Sequence, residues 1–142
     1  MSTEATNQDG YVLAWLNDAI RDRERAARLT ESEGGQNWRE DPFVYGVRDQ
    51  TNVMVARSRE ERAASITHIA LNDPETVLRR CAADRKILEL HGGRGHWCVV
   101  IDTDGDVDEF AKLYDSDVCT TVRLLAEGYG WPTQTTPAEG TV

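Results

Sequence analysis

The chain has 142 residues and a mass of 15.9 kDa, a size at which one core buries roughly two thirds of the surface of the unfolded form. Hydrophobic residues make up 39% and charged residues 29%, and four Trp and four Tyr give the chain enough to bury to argue against wholesale disorder. The formal charge of −9 is gathered toward the C-terminus. From Asp102 onward nine acids stand against Lys112 and Arg123, a local balance of −7, which argues against direct nucleic-acid binding because that requires a basic stripe.

No apolar run approaches the ~20 residues that cross a bilayer, and the opening MSTEATNQDG has neither a basic start nor an apolar centre, so a cytoplasmic location with no membrane partner is expected. Three cysteines, Cys81, Cys98 and Cys119, are odd in number and widely separated. That is a poor disulfide framework and suits a reducing compartment, leaving packing or metal binding to explain them.

Residues 1–9 read as a flexible polar tail. From Tyr11 to Glu31, Val12, Leu13, Leu16, Ala19, Ile20, Ala26, Ala27 and Leu29 recur at helical intervals, with a start at Asp9 or Gly10. The arginines at 21, 23, 25 and 28 alternate with Asp18, Asp22 and Glu24, the pattern of a salt-bridged solvent face. Phe43 to Val47 and Asn52 to Ala56 flank a polar turn and predict a hairpin. Glu60 to Leu71 suits a short helix. Asp73-Pro74-Glu75 then supplies a capping acid, a proline at a first turn and a carboxylate at the positive helix end. Val77, Leu78, Cys81, Leu88 and His91 form one stripe of that helix, which Gly92-Gly93 stops. A strand over His96 to Asp102, a turn at Asp104-Gly105 and a return strand over Val107 to Leu113 predict a second hairpin. Asp115-Ser116-Asp117 is placed to cap a last helix from Val118 to about Glu127, with Gly128 at its exit. Residues 132–142 read as a second flexible tail. The expectation is one α+β domain over residues 10–131, a small antiparallel sheet of hairpins packed against three or four helices.

Three stretches carry a family resemblance: His68 to Arg79 (HIALNDPETVLR), Arg85 to His91 (RKILELH), and Cys119 to Ala126 (CTTVRLLA) with Tyr129. Together they make the chain resemble, from about Tyr11 to Trp131, an uncharacterised domain-of-unknown-function family of actinobacteria and their phages. The resemblance implies a small standalone protein of such a source, with no established activity, substrate or catalytic residue. It also implies a cysteine-containing segment between the terminal histidine and the last helix, where Cys98 stands here.

The candidate constellation is His91, His96, Cys98 and Cys119. Zinc takes four such nitrogen and sulfur ligands in a tetrahedron, and a helix end, the following strand and a distant helix start could supply them. Cys119 is expected in the first helical turn, where the positive helix end lowers a thiol pKa. Two side chains at His96 and Cys98 share a face only if the strand is regular. The competing reading has all three cysteines filling the core, with no cofactor, and His91 bonding the last carbonyls of its helix. His68 reads as a core or capping histidine.

Other motifs fall short. Asp102-x-Asp104-x-Asp106 opens like a calcium loop, but Val107 and Leu113 occupy the positions that require glycine and a bidentate glutamate. Gly92, Gly93 and Gly95 follow a helix instead of opening one, so they make a turn and not a phosphate cradle. No nucleophile elbow is present. The leading expectation is a non-enzymatic accessory or interaction protein. One alternative is a small domain stabilised by zinc. A second is an acidic mimic of nucleic acid that occupies a basic site on a host protein through Asp102, Asp104, Asp106, Asp108, Asp115 and Asp117.

Overall fold

The computed structural model describes residues 3–101, 107–115 and 117–132. Within them the order is α1 (Thr3–Ser32), β1 (Trp38–Asp41), β2 (Gly46–Asp49), β3 (Met54–Arg57), a 3-10 turn (Glu60–Arg62), α2 (Ala63–Ala70), α3 (Pro74–His91), β4 (His96–Ile101), β5 (Val107–Leu113) and α4 (Thr120–Tyr129). The fold is α+β, with its strands in two separate antiparallel sheets, β1-β2-β3 and β4-β5. Among the described residues no helix is long and apolar enough to cross a membrane. The described residues pack as two compact units, one spanning Ile20–Asp84 and one combining those up to Ala19 with those from Arg85 onward. Both α1 and α3 contribute to each.

Helix α1 begins ahead of the start expected at Asp9 or Gly10. Exposed Gly10 costs a helix interior only about 1 kcal/mol relative to alanine, too little to stop a helix whose next turns bury Val12, Leu16 and Ile20.

In the unit Ile20–Asp84, the expected hairpin is instead a three-stranded meander. Phe43, expected in a strand, lies exposed in the β1–β2 turn, where Tyr45 adopts a left-handed φ of 47°. Two aspartates explain the shift. The Arg48 side chain, on β2, donates to Asp41 across the pair at 2.7 Å, and this holds the Asp41 carboxyl below its usual range. Asp49 closes the β2–β3 turn: its Oδ1 accepts from the Thr51 hydroxyl at 2.7 Å and from the Thr51 and Val53 N–H groups at 2.9 Å each. The turn therefore starts at Asp49, two residues after Val47, where the sequence pattern ends the strand. Helix α2 packs on all three strands.

The start of α3 is built as the sequence predicts. Asp73 Oδ1 accepts the Thr76 N–H at 2.8 Å, and Oδ2 accepts the Trp38 N–H at 3.2 Å. One buried carboxylate thus caps the helix and ties it to β1. On α3, Cys81, Asp84 and Leu88 are buried and His91 half-buried along one stripe, ending at Gly92 as expected.

In the other unit, β4 and β5 pair in regular register from His96↔Leu113 to Val100↔Glu109, with an irregularity only between Val100 and Ile101. Regular alternation puts Cys98 on the buried side and Trp97 on the exposed side. Helix α4 packs on β4 and buries Val122 and Ala126. Trp131, just beyond α4, meets Trp15 edge to face with ring centroids 5.2 Å apart. The Asp104-Gly105 turn and residues 133–142 lie outside the described residues.

Replacing Asp73 with alanine removes a cap and strands the Trp38 N–H. We expect a loss of about 1 to 3 kcal/mol in urea unfolding, with Asp73→Asn milder because the amide oxygen can still accept one of the two bonds.

Candidate metal centre

The four residues singled out from the sequence converge. His91, His96, Cys98 and Cys119 bring one ligand atom each to within 4.8 Å of every other. His91 Nδ1 is 3.2 Å from His96 Nε2 and 3.7 Å from both the Cys98 and the Cys119 sulfur. The two cysteines are buried, and the two histidines are half-buried with their rings edge to face.

These separations carry chemical information. Zinc binds sulfur at about 2.3 Å and nitrogen at about 2.0–2.1 Å, so a tetrahedron sets nitrogen pairs about 3.3 Å apart and nitrogen–sulfur pairs about 3.6 Å apart. The distances around His91 Nδ1 match both. A single proton on His91 Nδ1 serves His96, Cys98 and Cys119 poorly together, whereas a cation at the centre serves all four.

The backbone explains how three elements deliver these groups. His91 is the last residue of α3, and the turn to β4 brings His96 back beside it. Gly92 makes this possible by close approach, since a methyl there would lie 2.9 Å from the Leu88 carbonyl oxygen and 3.2 Å from Leu13. Gly93 takes a left-handed φ of 72°, a conformation that favours glycine. The Gly95 N–H donates to Asp115 Oδ1 at 2.7 Å, fastening the turn to the segment that precedes α4. An isolated bridge between Gly92 and Val118 then sets Cys119 next to His91. The His96 Nδ1 lies 2.7 Å from the Arg94 carbonyl oxygen. A carbonyl only accepts, so Nδ1 carries the proton and the Nε2 lone pair faces the cluster, as in metal sites whose outer hydrogen bond fixes the histidine tautomer.

Two expectations are corrected. The last helix is not capped by Asp117 at Val118: it spans Thr120–Tyr129 with Cys119 as its N-cap residue and a left-handed exit at Gly130. Asp117 Oδ2 instead accepts the Tyr114 N–H at 2.8 Å. The Cys119 thiol is pushed up, not lowered. Burial is the main cause and the neighbouring Cys98 adds to it, together outweighing the opposing pull of the Val122 and Thr121 N–H groups.

The acidic residues proposed as an interaction face divide differently. Asp115 and Asp117 are engaged with backbone N–H groups around the site. Asp102, Asp104 and Asp106 lie outside the described residues, and Asp108 lies on β5. His68 is exposed on α2 and takes no part in the cluster, nor does Cys81, buried on α3. Sequence reasoning missed Thr121, whose hydroxyl oxygen is 3.9 Å from the Cys98 sulfur, and Asp115 as the clamp of the histidine turn. The glycine-rich turn was the visible signal for a close approach, but nothing in it named the partner.

A model for a family of unknown function, DUF6221, matches residues 10–130. The chain belongs to this family. All four residues of the cluster fall inside the DUF6221 region. No curated protein and no solved structure matches the chain.

Gly92→Ala should displace His91 from the cluster. We expect a lowered Tm and zinc binding weakened by about tenfold or more, read by competition with a chromophoric chelator. Unchanged affinity would remove the turn from the account.

Proposed function

We propose that this DUF6221 chain is a zinc-binding protein whose metal is structural. The carrying observation is the match between the separations around His91 Nδ1 and those of a tetrahedral site of two cysteines and two histidines. Two sulfurs and two nitrogens in a tetrahedron favour zinc over the hard cations magnesium and calcium, which seek oxygen. Four protein ligands fill the coordination sphere, whereas a catalytic zinc keeps a position for water or substrate. When bound, the metal would displace the thiol protons and clasp the end of α3, β4 and the start of α4.

Protein purified without an affinity tag under reducing conditions should contain about one zinc per chain. Chelation should lower its Tm, and Cys98→Ser or Cys119→Ser should reduce the zinc content to below about 0.2 per chain. Folded wild-type protein at that low zinc content would overturn the reading.

We further infer an accessory or interaction role, in an actinobacterium or its phage. What supports it is the outer face of the same hairpin: Trp97 is 66% and Phe110 70% exposed, on the side opposite Cys98 in the β4–β5 register. Exposed aromatics of this size are enriched in interface cores. Changing Trp97 and Phe110 together to serine should leave zinc content and fold intact while abolishing capture of a partner from source-cell lysate. Capture that is indifferent to the double change would sink this role for the hairpin.

A further inference from the structure

We propose that the Cys98–Cys119 pair makes the metal centre a reversible redox switch, in which hydrogen peroxide joins the two sulfurs as a disulfide and releases zinc. This switch presupposes the zinc reading above and adds its regulation. Only two of the four ligands are oxidisable at sulfur, and they come from separate elements, the middle of β4 and the N-cap of α4. Their sulfurs lie within 4.8 Å of one another. A disulfide needs about 2.05 Å, a gap that side-chain rotation can help close. Cys119 suits such rotation, because its backbone is extended at φ −77°, ψ 166° and its side chain is free of the preceding helical turn that restricts rotamers inside a helix. The half-buried imidazoles of His91 and His96 form the more exposed part of the cluster, the side from which a small peroxide reaches the sulfurs.

The chemistry balances. One thiolate sulfur attacks the peroxide, the O–O bond breaks, and a sulfenic acid and hydroxide form. The second thiolate then attacks the sulfenic sulfur, forming the S–S bond and expelling a second hydroxide. The sulfurs together lose two electrons to the peroxide, and two protons from solvent convert the hydroxides to water. With both sulfur donors consumed, two imidazoles remain for zinc, and the four-coordinate site is lost. A dithiol reductant reverses the step and restores the ligands.

The test uses the full chain, zinc-loaded and reduced, exposed to hydrogen peroxide while a chromophoric chelator reports released metal. We expect one zinc released for every two thiols lost, a peptide linking Cys98 to Cys119, an intact Cys81 thiol, and recovery of zinc binding after dithiothreitol and added zinc. Cys81→Ala should respond as the wild type does. Zinc retained through peroxide exposure would overturn the switch and leave the structural zinc reading standing. So would release that ends in single-cysteine sulfinic acid or in a bond to Cys81. A folded chain that takes up no zinc overturns both.

Discussion

The His/Cys cluster depends on one constraint: the ring of His91 must stay where three other lone-pair atoms can reach its Nδ1. A helix end is a poor place to fix a side chain, because the last turn frays and its carbonyls lack partners. Here the terminus is gripped from two directions. The Gly92–Val118 bridge ties it to the segment leading into α4, and the Gly95 N–H bond to Asp115 ties the returning strand to that same segment. Cys119 and His96 are each one residue away from one of these fastenings. The geometry of the cluster therefore follows from these two fastenings of the backbone, one to backbone and one to the Asp115 carboxylate, and the side chains inherit it.

Much of this was legible in the sequence, and the limits have physical causes. The stop of α3 at His91 followed from Gly92-Gly93, and the shared face of His96 and Cys98 followed from strand alternation, which has a fixed period of two. The Asp73 cap was also readable, because capping is local chemistry. The tie from Asp73 to Trp38 was not, since it joins residues 35 apart. The start of α4 was misjudged for a related reason: Asp117 is a good capping residue, but the Tyr114 N–H competes for it. Local propensity cannot rank two donors when one is brought in by a turn.

The expected fall in the Cys119 pKa failed for a different reason. The positive end of a helix acts over roughly one turn and is worth at most a kcal/mol or two, whereas loss of water around a thiolate sets a larger opposing penalty at a buried position. Position in sequence reveals the helix terminus. It does not reveal that Cys98 shares the same dry space. The core-filling reading of the cysteines is thus right for Cys81, and for Cys98 and Cys119 it describes their burial while leaving out their company.

Two-stranded sheets are marginal in water unless something packs on them or fastens them. The β4–β5 hairpin exposes Trp97 and Phe110 on one face, so its hydrophobic gain is confined largely to the face against α4. That face presents Cys98, a small side chain with little area to bury. A leucine there would bury more apolar surface, yet the position holds a thiol directed at a second thiol and two imidazoles, groups that carry desolvation costs when buried without full partners. Such a choice weakens a small core if packing is its only purpose. It makes sense if coordination supplies the cohesion, because a closed zinc site returns folding free energy far larger than one aliphatic side chain can, and it does so at the point where a helix end, a strand and a helix start must be held together.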